Sequence, residues 1–475
     1  QEIKDILWAF SRIGLRHPAL FRSIAEYLVG SSDHMEVTGR GLDGFSPQGI
    51  GNLAWAYARQ AQLGAELANR KTVNSMVPAS SGRLSHYTTI FLDVGEALLQ
   101  KLFWAIADAD LRVHDGLGKL KPQDLSNTAW AFAILGLKHT RFLEAVVSQL
   151  LTRTKACARG GRDFYNRFKS QEIVNTLWAL ATLNYIPNVG LLSDLEPYLL
   201  DMASFGKHEL SVKSITQAFK RQELGNLVWI CAVFREYPPN LVQLLYRGLI
   251  GFGENEDPEY LKKMHGDDGL QQSAVMSLTY LQIAMDLDLG KSNPFYLPDG
   301  FPDKWEPGQH NGYVADDTGL FDLKLTSSKI QSSVGRAFQR IGFQHVEEHV
   351  IRMDELAGEY GVQIPPNPQE ILSLDIANVD SKIGIEVDGP GHFITAIDNG
   401  HKPDGDILSA NGKVDYHFDW GWDRQEINGP TSLKLRMLNQ LGWRVVNVPF
   451  WDWYAIDGNL QEQDAYCQSR LETKQ

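Results

Sequence analysis

Over residues 1–285 apolar positions recur at helical spacing, and a polar signature recurs with them. Gln-x-(Ile/Leu)-x-Asn-x-x-Trp is carried by Gln48, Ile50, Asn52 and Trp55, and by Gln123, Leu125, Asn127 and Trp130. It returns at Gln171, Ile173, Asn175 and Trp178, and at Gln222, Leu224, Asn226 and Trp229. Gln1, Ile3, Asp5 and Trp8 give a version with Asp in the Asn place, and a worn copy starts at Gln271. The tryptophans are spaced by 47, 75, 48 and 51 residues, a period that predicts an α-solenoid of helical-pair repeats. Ser46-Pro47, Pro122 and Ser170 are helix-start signals. Small residues after each tryptophan (Ala54 to Ala58, Ala129 to Ala133, Ala179 to Ala181) suit a sandwiched inner helix. The second helix of each pair is amphipathic, as over 142–151 and 241–246. On this pattern the tryptophans are expected to pack in the core, and the asparagines to form a hydrogen-bonded ladder between repeats.

Beyond residue 318 the period changes. Helical spacing over 327–341 is followed by strand-like runs over 345–351, 371–377 and 382–387, then a helix over 432–441 and a strand over 443–449. Residues 286–318, rich in Pro, Gly and Asp, read as a linker between the array and an α/β domain over 319–475. Residues 63–90 read as a polar insertion in the array, and 394–431 as an inserted loop in the second domain.

The candidate chemistry lies on the strands. Glu386 and Asp388 share one strand face, Asp375 stands in the preceding apolar run, and His392 follows the Gly389-Pro390 break. Carboxylates on neighbouring strands are one way of holding a divalent ion for phosphodiester chemistry. Lys434 and Arg436, on the following helix, can either stabilise charge on a phosphate or simply balance the acids.

The string Ile385-Glu-Val-Asp-Gly-Pro-Gly-His-Phe393, with Leu433-Lys-Leu-Arg-Met-Leu438 and Leu441-Gly-Trp-Arg-Val-Val-Asn-Val-Pro-Phe-Trp-Asp-Trp453, resembles the RAP domain of organellar RNA-processing proteins. The helical pairs resemble octotricopeptide-like and heptatricopeptide-like repeats, usual companions of that domain. The resemblance implies a PD-(D/E)XK nuclease-like fold and association with organellar mRNA or rRNA. It implies a mitochondrion or plastid, with the mitochondrion favoured. The nuclease Glu-x-Lys is Glu386-Val-Asp388 here, so a binding domain without cofactor is the better expectation. Were it a nuclease, Mg²⁺ or Mn²⁺ would sit on Asp375 and Glu386, with Asp388, His392, Lys434 and Arg436 completing the site. A structural subunit of a mitochondrial ribosome, touching rRNA fragments and ribosomal proteins, is the alternative reading.

Charge refines this picture. The formal net charge is -13, and residues 291–475 hold 16 Lys and Arg against 28 Asp and Glu, so the repeats are near neutral. Such acidity argues against indiscriminate polyanion binding. One segment, 153–169, is basic and aromatic, and Arg153, Lys155, Arg159, Arg162, Arg167 and Lys169 are its candidate RNA contacts. Three scattered cysteines make neither a disulfide framework nor a zinc site. No stretch is apolar enough to span a bilayer, so no membrane insertion is expected. The chain begins at Gln1 inside a repeat, from which further upstream sequence is expected.

Overall fold

The computed structural model describes residues 2–30, 39–74, 93–158, 167–187, 190–204, 210–251, 272–290, 293–294, 329–352, 370–398, 425–456 and 458–473. They are mostly helical, with a smaller α/β region toward the C-terminus. No helix among them is long and apolar enough to cross a membrane. They group into two compact units, one from 1–198 plus 390–429, the other from 199–389 plus 430–475. This grouping cuts across the expected division into 1–285 and 319–475.

In the first unit, helices Glu2–Arg12, Pro47–Asn74, Pro122–Leu135 and Ser170–Thr182 pack side by side in chain order. Helices Pro18–Val29, Glu96–Arg112 and Thr140–Ala158 form a second row in the same order. The starts match the sequence signals: Pro47 and Pro122 occupy first-turn positions where a missing N–H costs nothing. Gly51 allows close approach within the first row, since a Cβ there would lie 3.3 Å from the Asp124 carbonyl oxygen. The helix beginning at Pro47 continues to Asn74, so residues 63–74 of the expected insertion are helical, and 75–90 lie outside the described residues.

A three-stranded sheet completes this unit. Strand β1 (Leu137–Lys138) pairs in parallel with β5 (Phe393–Ala396), which pairs antiparallel with β6 (Gln425–Ile427). The Thr395 amide donates to the Gly136 carbonyl and the Ile397 amide to that of Lys138, while Lys138 Nζ lies 2.8 Å from Glu426. Asp398 accepts the Arg141 amide at the start of helix Thr140–Ala158, where the helix dipole favours an anion. We expect Asp398→Ala to lower unfolding stability by about 1 kcal/mol, read by denaturant titration, because it removes this cap. The ends of the expected loop 394–431 are therefore ordered strands. Its His401, Asp404, Asp406 and the aromatic run 416–422 lie outside the described residues.

In the second unit, helices Val212–Ala218, Arg221–Phe234, Pro239–Ile250 and Gln272–Leu289 precede the α/β region. The last of these runs through 286–289, so the expected linker begins as helix; residues 295–318 lie outside the described residues. Strands β2 (Val346–Arg352), β3 (Glu370–Asn378), β4 (Ile383–Asp388) and β7 (Arg444–Pro449) form a sheet in the order β2-β3-β4-β7. The first two pairings are antiparallel and β4-β7 is parallel, which requires a crossover; helix Gly429–Gln440 lies in it. Helix Lys329–Arg340 and helix Leu460–Glu472 pack together over one face, around Val334, Phe338, Ile385, Val446, Trp453 and Cys467.

Candidate functional site

Side chains alternate across a strand, so Ile385 and Val387 enter the core while Glu386 and Asp388 project from the other face. Both acids are nevertheless buried, Glu386 to 3% exposure and Asp388 to 1%. Their neighbours come from three elements. Asp375 on β3 accepts the Val387 amide at 2.7 Å, Asn447 on β7 donates to Asp388 Oδ2 at 2.6 Å, and Lys434 Nζ meets Glu386 Oε2 at 2.6 Å. Nearby, Gln331 donates to Glu348 at 2.6 Å.

Burial, and then the charges of Asp375 and Asp388, push the Glu386 carboxyl up to about 7 against the opposing pull of Lys434. For Lys434, burial works downward, yet the surrounding carboxylates prevail and raise it. Glu386 Oε1 is buried with no hydrogen-bond partner among the described residues. The result is a compact, proton-sensitive cluster in which Glu386 titrates near neutrality.

Each of the three carboxylates spends one oxygen on a protein donor: Asp375 on a backbone amide, Glu386 on an ammonium and Asp388 on a carboxamide. No group of three or more His, Cys, Asp or Glu side chains among the described residues is arranged to hold a metal.

Arg436 departs from the expectation that it balances these acids. Two residues along a helix is a rotation of about 200°, so Arg436 points away from the side that Lys434 presents to Glu386. It donates to the Ala232 and Val233 carbonyls at the end of helix Arg221–Phe234, and lies 3.2 Å from Asp288. Asp288 also receives Arg235, Gln440 at 2.9 Å and the Tyr237 hydroxyl at 2.6 Å. We expect Arg436→Ala to cost about 2–3 kcal/mol in urea unfolding, since it strips helix-end carbonyls and a buried carboxylate of a charged donor. The sequence reading missed Asn447 and Asp288. The first was legible, being opposite Glu386 once β4 and β7 pair in register; the second was hidden in the supposed linker.

His392 falls in a short 3₁₀ turn, Pro390–His392, of the first unit, where Asn428 donates to the Gly391 and His392 carbonyls. The basic segment divides. Arg153 is a correction: at 8% exposure it donates to the Leu117, Gly118 and Leu120 carbonyls, which places it in the interior instead of on a phosphate-facing surface. Lys155 pairs with Asp194 at 2.9 Å, Arg167 lies over the Tyr198 ring, and Lys169 is exposed at a helix start. Arg159 and Arg162 lie outside the described residues.

The repeat signature gives the largest departure. Trp229 is buried at 3% exposure, but Trp8 is 42% exposed and Trp55, Trp130 and Trp178 are half-buried. Among the described residues no hydrogen bond is formed by the side chains of Asn52, Asn127, Asn175 or Asn226, so the expected ladder is not there.

Comparison with known proteins places these elements in context. Residues 385–469, from β4 to the last helix, match the RAP domain family model, and the chain carries a RAP domain there. The chain is also similar to a protein of Oryza sativa subsp. japonica described as "RAP domain-containing protein, chloroplastic", at 21% identity over 443 residues. That similarity covers 88% of this chain and 51% of the rice protein, so the chain spans about half the length of the curated relative it matches.

Proposed function

We propose that this protein is an organellar RNA-binding protein that holds single-stranded RNA on its repeats and clamps it with the RAP domain without cutting it. On this reading residues 1–285 form a solenoid of helical pairs, and residues 319–475 form a RAP domain with a PD-(D/E)XK nuclease-like fold. The observation that carries the reading is the RAP-domain match at 385–469 in a chain whose first unit packs its helices as two rows. The commitment of Glu386 to Lys434 supports binding over cleavage. The rice relative's plastid name supports an organelle and gives no weight to the mitochondrion over the plastid.

Crosslinking the full chain in cells and sequencing the attached RNA tests this. A discrete messenger site supports a processing or stability factor. Scattered ribosomal fragments redirect the reading to a ribosomal subunit, and absence of RNA removes both.

A further inference from the structure

In helix Pro122–Leu135, every residue from Asp124 to Leu135 is buried except Asn127 and Trp130. In helix Ser170–Thr182, every residue from Ile173 to Ala181 is buried except Asn175 and Trp178. In helix Pro47–Asn74, every residue from Gly49 to Ala58 is buried except Asn52 and Trp55. The exposed Gln48, Gln123 and Gln171 stand one turn before the asparagines, so each helix shows one open stripe of Gln, Asn and Trp. Of the recurrent residues, Ile50, Leu125 and Ile173 are taken up by the core, while the Gln, Asn and Trp positions keep surface open.

These three helices lie side by side within the first unit, and packed helix axes are about 8–10 Å apart. Each of the three helices thus offers carboxamides beside an indole on its open stripe. Their chemistry identifies an occupant. A carboxamide with no internal partner both donates to and accepts from a base edge, and a half-buried indole offers a face on which any base stacks. Duplex RNA hides those edges and faces, whereas single-stranded RNA presents them. Six residues before Asn127 and Asn175 stand Lys121 and Lys169, both exposed at helix starts, suited to the phosphates of the same strand.

Building on the RNA-binding reading above, we propose that Asn52, Asn127, Asn175 and Trp55, Trp130, Trp178 form the base-contacting track for single-stranded RNA, with Lys121 and Lys169 on its backbone. Because the same pair recurs on each helix, the track contributes affinity with little change of base preference from one repeat to the next.

The test uses the full chain and a fluorescein-labelled single-stranded RNA of about 15 nucleotides, as oligo(U) and as oligo(A). Asn52→Ala/Asn127→Ala/Asn175→Ala together should weaken binding roughly tenfold or more while the melting temperature stays, since these side chains make no hydrogen bonds among the described residues. Trp130→Leu/Trp178→Leu, which keeps apolar bulk but removes the stacking face, should do the same. Lys121→Ala/Lys169→Ala should flatten the salt dependence by roughly 0.7 in log-log slope per phosphate lost. Photocrosslinks from 4-thiouridine RNA to the wild-type chain should fall on peptides containing Trp130 and Trp178. Wild-type binding with unchanged affinity in folded Asn and Trp variants, or crosslinks confined elsewhere, overturns the track and leaves RNA binding standing. A wild-type chain that binds neither RNA overturns the function itself.

Discussion

Lys434→Met is expected to destabilise the protein by about 3–5 kcal/mol, because it leaves Glu386 buried at 3% exposure beside two further carboxylates without its ammonium. Lys434→Met with Glu386→Gln should recover a large part of that loss, since the uncompensated charge disappears with its partner. The same site fixes the pH dependence. The folded-state carboxyl titrates near 7 while the unfolded one titrates at its ordinary 4.5, so between those values the native state binds the extra proton. Stability from this group is therefore full below about 4.5 and declines as pH rises through about 7, by on the order of 3 kcal/mol. Thermal melts of wild type and Glu386→Gln across that window give the check: Asp110 and other buried carboxyls titrate there too, so the wild type should fall more steeply than the Gln variant. Equal slopes for the two proteins would show that the Glu386 carboxyl keeps its ordinary range in the fold.

Trp453→Ala should cost about 3–5 kcal/mol through lost burial and an unfilled cavity. The side chain is 1% exposed, lies in the core with Phe338 and Val446, and aims its Nε1 at Ser333 Oγ. Trp130→Ala should cost less than half as much, because part of that indole already faces water. Measuring both by urea unfolding separates a structural tryptophan from a surface one within a single chain. Equal losses would return the repeat tryptophans to the core.

That contrast marks where the sequence was informative. The α/β elements came out close to place, with the strand over 371–377 found as Glu370–Asn378 and that over 443–449 as Arg444–Pro449, because period-2 runs bounded by turn residues are strong local signals. Helix starts at Pro47, Pro122 and Ser170 were legible for the same local reason. The contact between Lys434 and Glu386 was one of the options the pattern left open. What the pattern withheld was long-range. The stretch ending in Ala396 gave no sign that it would pair with Leu137–Lys138, since a two-residue strand has no periodicity of its own. The exposure of Trp55, Trp130 and Trp178 was hidden for a different reason. Trp at helical spacing looks the same whether its face meets a neighbour or solvent, and only the burial of every other position in those stretches tells them apart.

The strand pair β5-β6 also sets an order of events for the nascent chain. Arg141 and Asp398 are 257 residues apart, yet the second caps the helix that the first begins. On a ribosome adding about 5–20 residues per second, the first unit thus waits on the order of ten seconds or more for its last segment. Contacts closed over so long a loop are slow to form and favour delayed, chaperone-assisted completion. A fragment ending near residue 285 would lack part of its own fold, so its failure to bind RNA would say nothing about the repeats, and a test of the repeats has to include residues 390–429.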